Sequence, residues 1–282
     1  MRVGLVTGQE MAKPDPESHL LIKALSDIKI SSELISWRAD CDWSSFDLFV
    51  IRTPWDYFLY LEEFIAWVKT VEVHTPVKNS SSMIRWNSHK GYLRDLSKKG
   101  VPVVPTGWVS KNQDCSNIIQ SFNWKEVVIK PAVSIGAIGA IRGFSNQLNI
   151  QTHLQNLVLN GDVMIQPFLD SICTQGELSL IYFDGQFSHA ICKTPEVGDY
   201  RVQDAYGGVN KVVHADDEAK ELAEMVLSHT PERTLYARVD LVKYLDKWVL
   251  MELEAIEPEL FLPYAPSAAI KFARTIEQLD FN

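Results

Sequence analysis

Near its C-terminus the chain reads VLMELEAIEP, residues 249–258, with Glu252 and Glu254 one residue apart between apolar neighbours. This alternation is that of a strand with one covered face, and a period of two sends both carboxylates to the same side. Two like charges on a half-buried face repel and raise each other's pKa unless positive charge is supplied. The preceding apolar segment, YARVDLV (236–242), puts Arg238, Asp240 and Val242 on one face. A hairpin turned at Leu245–Lys247 brings Asp240 beside the glutamate pair. Three carboxylates in a semi-buried site are costly unless they hold divalent cations, and an all-oxygen donor set suits Mg²⁺ or Mn²⁺ better than zinc. Arg238 could instead neutralise the cluster alone, or contact a phosphate bidentately. A solvated strand face with a surface ion pair fits the same letters, so the spacing alone leaves both open.

A second segment narrows the choice. VVIKPAVSIGAIGAIR (127–142) is a strand, a lysine, a loop of small residues and a returning strand. Lys130 interrupts an apolar run and needs an anionic partner or a route to water. Ser134, Gly136 and Gly139 let backbone N–H groups approach a polyphosphate, so the hairpin reads as a flap over phosphates. The lysine precedes the loop, so this is not the GxxxxGK[ST] arrangement. A flexible turn with a snorkelling lysine is the plainer alternative. VMIQPFLD (163–170) reads as a buried strand kinked at Pro167, able to offer backbone groups to a purine edge with Phe168 and Leu169 as walls; an ordinary core strand fits equally.

The order of elements sets the fold class. Strands at Val3–Thr7, Ser32–Ser36, Phe46–Ile51 and Glu72–His74, with helices over Glu17–Ser26 and Leu61–Thr70, predict a small open α/β domain ending near residue 80. A helix over Ser88–Lys98 follows. From Lys125 the chain turns strand-rich and α+β, with Asp184-Gly185 as a hairpin signal, helices over Leu148–Leu159, Asp217–His229 and Ser267–Leu279, and the acidic hairpin near the end. Beyond the third strand, RTPWDY (52–57) lies where open α/β sheets bind ligands. There Arg52 and Asp56 could hold a substrate carboxylate and amine, and Thr53 with Pro54 could begin a helix. His189 reads as a satisfied structural histidine, and Trp43, Trp67 and Trp248 as packing residues.

Composition excludes several classes. A formal net charge of −9 and a pI near 5.3 argue against broad nucleic-acid binding. Four cysteines without a CxxC suggest reduced thiols and a cytoplasmic setting. No apolar run reaches membrane-spanning length, and the opening MRVGLVTG lacks a signal-peptide core.

Taken in order, the lysine strand with its loop, the Gln-Pro-Phe strand, GELSLIYFDGQFSHAICKTP, DYRVQDAYGG, ARVD and MELEAIEP resemble an ATP-grasp ligase, of the glutathione synthetase type and like the cyclo-ligase of cycloserine biosynthesis. The resemblance implies an ATP-grasp fold, two α+β subdomains (86–168 and 169–282) clasping ATP, preceded by a small α/β domain (1–85). It implies an ATP- and Mg²⁺- (or Mn²⁺-) dependent C–N ligase, ADP-forming, that joins small-molecule carboxylate and amine substrates through an acyl phosphate. A nucleotide-binding protein without ligase activity is the alternative. By the resemblance Lys90 and Lys130 contact nucleotide phosphates beneath the Ser134–Gly136 loop. Gln166, Phe168 and Leu169 flank the adenine, and Glu177 lies near the acidic position on the ribose side. Asp240, Glu252 and Glu254 hold metal, and Arg238 stabilises the transferred phosphoryl group. Lys193, Arg201, Gly207 and Gly208 surround the acyl phosphate and substrate. The pattern departs from the family at Glu254, where asparagine is common; glutamate keeps the oxygen ligand and adds charge. A homodimer is compatible with the resemblance.

Overall fold

The computed structural model describes residues 1–9 and 15–279. Three sheets organise the described residues. The first is parallel, in the order β2–β1–β3–β4, from β1 (Arg2–Thr7), β2 (Ser31–Ser36), β3 (Leu48–Thr53) and β4 (Val77–Lys78). All six residues of β3 are buried, because both faces of the sheet are covered. On one face Val3, Leu5, Leu48 and Val50 pack with α1 (Pro16–Asp27) and with Phe272 of α9 (Ala268–Glu277), the last helix of the chain. On the other, Phe49 and Ile51 pack with Phe64 and Val68 of α2 (Leu61–Glu72) and with Trp37, Trp43 and Trp67.

Two expectations about this region are corrected. The strand expected at Glu72–His74 is the end of α2 and its turn: Val71 O accepts both His74 N at 3.0 Å and Thr75 N at 2.9 Å, so the helical ladder closes there. The fourth strand starts after Pro76 instead. Thr53 and Pro54 do not begin a helix; Thr53 ends β3, and a single 3₁₀ turn, Tyr57–Tyr60, precedes α2.

The helix expected over Ser88–Lys98 is α4 (Tyr92–Lys98), which starts later, and a helix that was not expected, α3 (Ser81–Asn87), precedes it. The chain breaks between them, and Lys90 N donates to Ala132 O at 2.8 Å, outside either helix. The second sheet is antiparallel, β5–β8–β6–β7, from β5 (Gly107–Val109), β6 (Glu126–Pro131), β7 (Ile141–Phe144) and β8 (Val163–Pro167). The short helix α5 (Ile118–Ser121) and α6 (Leu148–Val158) cover it, through Ile119, Ile150, Leu154 and Val158.

After α7 (Asp170–Gln175) comes the third sheet, antiparallel in the order β11–β10–β9–β12–β13. Its strands are β9 (Glu177–Phe183), β10 (Gln186–Thr194), β11 (Val209–Val213), β12 (Tyr236–Tyr244) and β13 (Lys247–Glu254). Helix α8 (Asp217–Ser228) covers one face with Ala219, Leu222, Ala223 and Val226. Two tight turns fix the register. Asp184 and Gly185 have φ of 46° and 71°, and Leu245 and Asp246 have 50° and 62°. A two-residue hairpin with positive φ at both central positions matches the right-handed twist of its strands. Strand β11 and helix α7 were not expected: β11 is an edge strand with mixed letters, and α7 is barely more than one turn. Among the described residues no helix is long and apolar enough to cross a membrane.

Candidate active site

The hairpin β12–β13 pairs Arg238 with Glu254 and Asp240 with Glu252. Residues directly opposite on antiparallel strands share a face, so the period-two argument holds and all four point one way. Strands β9 and β10 extend that face, because Lys193 is paired with Glu177 and Asp240 with Ser179. The second sheet brings β6 and the loop after it, and β8 brings the Gln166–Leu169 segment. Between them lies a cavity of about 440 Å³. Of the residues singled out for nucleotide, metal and catalysis, it is lined by Lys90, Lys130, Ser134, Gly136, Gln166, Phe168, Leu169, Glu177, Lys193, Arg201, Arg238, Asp240, Glu252 and Glu254, but not by Gly139. Gly207 and Gly208 are not among its lining residues.

Charge within the cavity is tightly paired. Arg238 reaches Asp240 at 2.9 Å and Glu254 at 2.5 Å. Lys193 reaches Glu177 at 2.5 Å and Asp240 at 3.4 Å. Lys90 Nζ reaches Glu252 at 2.9 Å and donates to Ser134 O at 2.8 Å, linking the acidic strand to the base of the flap. Burial works against the charge of Asp240, but Arg238, Lys193 and the Ser179 hydroxyl hold its carboxyl down at about 2. Burial acts in the same direction at Glu254, but there, with Asp240 and Glu252 close by, it outweighs Arg238 and pushes the carboxyl up to about 8.

Lys130 stands apart. Among the described residues its ammonium has no carboxylate within ion-pair distance, and its one side-chain hydrogen bond is to Met251 Sδ at 3.9 Å. Burial lowers its pKa. A half-buried ammonium that faces a cavity with no carboxylate at ion-pair distance leaves its charge open to an anion. Over it runs the loop 132–140, where Gly136, Ala137 and Gly139 have φ of 55°, 66° and 77°. A Cβ at Gly139 would lie 2.9 Å from Pro131 Cγ, so that position admits no side chain without a shift.

Beside Lys130 on the neighbouring strand β8 is Gln166, whose amide nitrogen donates to Thr106 Oγ1 at 2.9 Å, and just past it Phe168, whose ring carries the Arg142 guanidinium 3.4 Å from its centroid. Arg201 is clamped by Asp199 at 2.7 Å and stacks 3.7 Å from the Tyr206 ring centroid. Glu177 lines the cavity, with Oε1 paired to Lys193 at 2.5 Å beside Asp240.

Arg52 and Asp56 are corrected. Arg52 is 1% exposed and donates to Glu17 and to Pro258 O, each at 3.2 Å; it does not line the cavity. Asp56 accepts the Trp37 indole N–H at 2.9 Å and Gln9 N at 3.1 Å. Its neighbours Trp55 and Tyr57 do line the cavity, as does Glu257. These were missed because loop residues carry no periodicity; the one signal was a glutamate directly before Pro258. His189 is structural as expected, with Nε2 2.9 Å from Leu260 O.

Among the described residues no three acidic, histidine or cysteine side chains are gathered closely enough to hold a metal. Each carboxylate is turned to a protein cation instead. The donor set still fits a hard divalent ion. It is all oxygen and lies on one face of the β12–β13 hairpin.

The chain matches two family models. Residues 3–79 match the D-cycloserine synthetase DcsG N-terminal domain, and residues 97–245 match the prokaryotic glutathione synthetase ATP-grasp domain. It is 29% identical over 98% of both chains to the cycloserine biosynthesis protein DcsG of Streptomyces lavendulae. It is 26% identical to a glutathione synthetase of Prochlorococcus marinus subsp. pastoris, over 71% of this chain and 68% of that one. The crystal structure of D-cycloserine synthetase DcsG superposes with a TM-score of 0.88 at 28% identity, covering 98% of each chain. A D-alanine–D-alanine ligase from Bacillus anthracis complexed with ATP shares the fold, with a TM-score of 0.74 at 16% identity over 98% of this chain and 94% of that one.

Proposed function

The chain belongs to the prokaryotic glutathione synthetase ATP-grasp family, and on that premise we propose that it is an ATP- and Mg²⁺-dependent carboxylate–amine ligase acting through an acyl phosphate on a small amino-acid-like substrate. The observation that carries this reading is one cavity in which a face of three carboxylates meets a half-buried lysine, Lys130, with no carboxylate within ion-pair distance among the described residues. Lys130 and Lys90 hold the phosphates of ATP, while the 132–140 loop covers them and excludes water. Gln166, Phe168 and Leu169 wall the base. Asp240, Glu252 and Glu254 would hold the divalent ion, which supplies charge neutralisation of the phosphates when bound.

The substrate carboxylate attacks the γ-phosphorus and ADP leaves. A nitrogen lone pair then attacks the acyl carbon, forming the C–N bond and releasing phosphate. Arg238 offsets the charge on the transferred phosphoryl group, and Lys193 and Arg201 hold the acyl phosphate. The chain's contribution is positioning and preorganised charge, with no covalent nucleophile of its own. The near full-length likeness to a cycloserine biosynthesis protein supports a compact amino-acid-like substrate. The net charge of −9 supports small molecules rather than nucleic acid as partners.

The test is a pooled amino-acid screen for phosphate release from ATP, with products identified by mass. The expected result is acid-dependent ADP formation and an amide product, cyclic or intermolecular, lighter than its precursors by one water. Nucleotide binding with no acid-dependent turnover would instead favour a binding protein without ligase activity.

A further inference from the structure

Glu257 lies just past β13 and lines the cavity. Unlike Asp240, Glu252 and Glu254, it has no cation within ion-pair distance among the described residues; the nearby Lys90 and Arg238 are committed to Glu252, Asp240 and Glu254. Two residues of the first domain meet it. The Tyr57 side chain, 4% exposed, lines the cavity with its hydroxyl near that carboxylate. The Trp55 indole N–H approaches its backbone oxygen at 3.4 Å, leaving the ring in the cavity wall. A half-buried carboxylate without a cation is short of positive charge: burial, with Glu252 close by, lifts its pKa to about 7.

We infer that Glu257, Tyr57 and Trp55 form a subsite for a substrate ammonium group. The carboxylate accepts charge-assisted hydrogen bonds from the ammonium, the tyrosine fixes the carboxylate, and the indole face favours a cation beside it. The subsite selects amino acids over acids of the same shape that lack the amine. This selection rests on the ligase reading above and gives it a substrate class. It also gives the first domain a direct part in specificity, through Trp55 and Tyr57.

The test compares amino acids with the matching 2-hydroxy acids as carboxylate donors, with hydroxylamine as a small nucleophile that traps acyl phosphate as hydroxamate. In the wild type, kcat/KM is expected to favour the amino acid by tenfold or more. In Glu257→Gln the amino-acid KM rises about tenfold, the hydroxy-acid KM stays within twofold, and the preference collapses. Tyr57→Phe gives a smaller loss in the same direction. ATP affinity, read by nucleotide titration, stays within twofold in both variants and reports that the fold and nucleotide site are intact. A preference that survives Glu257→Gln, or a wild type that activates both acids equally, overturns the subsite alone. No hydroxamate from any acid, in a wild type that binds ATP, overturns the ligase reading and the subsite with it.

Discussion

Lys130 is the residue whose placement only a ligand explains. Its ammonium is half-buried with no carboxylate at ion-pair distance among the described residues, which costs stability, since its partial desolvation is not repaid. Lys130→Met removes that charge at similar volume. The variant is expected to be more stable than wild type by about 1 kcal/mol, with turnover lower by about 10²–10³-fold, a change that thermal melting and ATP turnover together check. A variant that both melts lower and keeps turnover would mean the lysine serves packing. The sequence exposed this residue because a lysine in VVIKP breaks an apolar run, and it exposed Asp240, Glu252 and Glu254 because a strand's period of two sorts residues by face. Glu257, Trp55 and Tyr57 follow no period. They meet only because two distant loops close over one cavity, which local letters do not encode. Glu177 was legible as a polar residue opening a strand, but its partner Lys193 lies on the next strand and only the β9–β10 register reveals it.

At the scale of elements, the hairpins depend on their turns. Leu245 and Asp246 both hold the left-handed region, φ 50° and 62°, though neither is glycine, and Leu245 is 80% exposed. Each such position costs roughly 1–2 kcal/mol for a residue with a Cβ. Replacing Leu245-Asp246 with Asn-Gly is therefore expected to stabilise the protein by about 1–2 kcal/mol, measured by denaturant unfolding, with turnover unchanged because the turn lies at the far end of the strands from Glu252 and Glu254. A loss of stability would show that the exposed leucine packs on something. Strand and helix identities came through where periodicity ran for several residues. They failed where a break was set by tertiary partners: the chain leaves the helical path between α3 and α4 so that Lys90 N can meet Ala132 O. That same break puts Lys90 beside Glu252 and Ser134.

At the scale of the whole molecule, the first sheet and the site are tied together by buried polar groups. Glu17 of α1 accepts Leu260 N at 2.8 Å and Leu262 N at 3.1 Å, and it receives Arg52. Asn79 spans Leu235 N, Tyr236 O and Ala255 O, and Asn87 spans Leu253 O and Ala255 N. These bonds fix the chain around and just past Glu254 against the first domain and the end of α3. None was legible, since an α1 glutamate and a segment more than two hundred residues later share no local signal. Burial raises the Glu17 carboxyl to about 7, against the pull of Arg52. A carboxyl raised on folding contributes stability that is full below its unfolded pKa of about 4.5 and is lost as pH rises through about 7. The melting-temperature advantage of wild type over Glu17→Gln is therefore expected to shrink between pH 5 and about 7.5; an advantage that grows over that range would contradict the assignment. The central claim concerns the cavity that these ties hold together, and oxygen transfer tests it most directly. With an amino-acid substrate labelled with ¹⁸O in its carboxylate, the account predicts that one labelled oxygen per turnover appears in the released phosphate, because the acyl phosphate forms through that oxygen. Phosphate whose new oxygen comes only from water, with the carboxylate label intact, would contradict it.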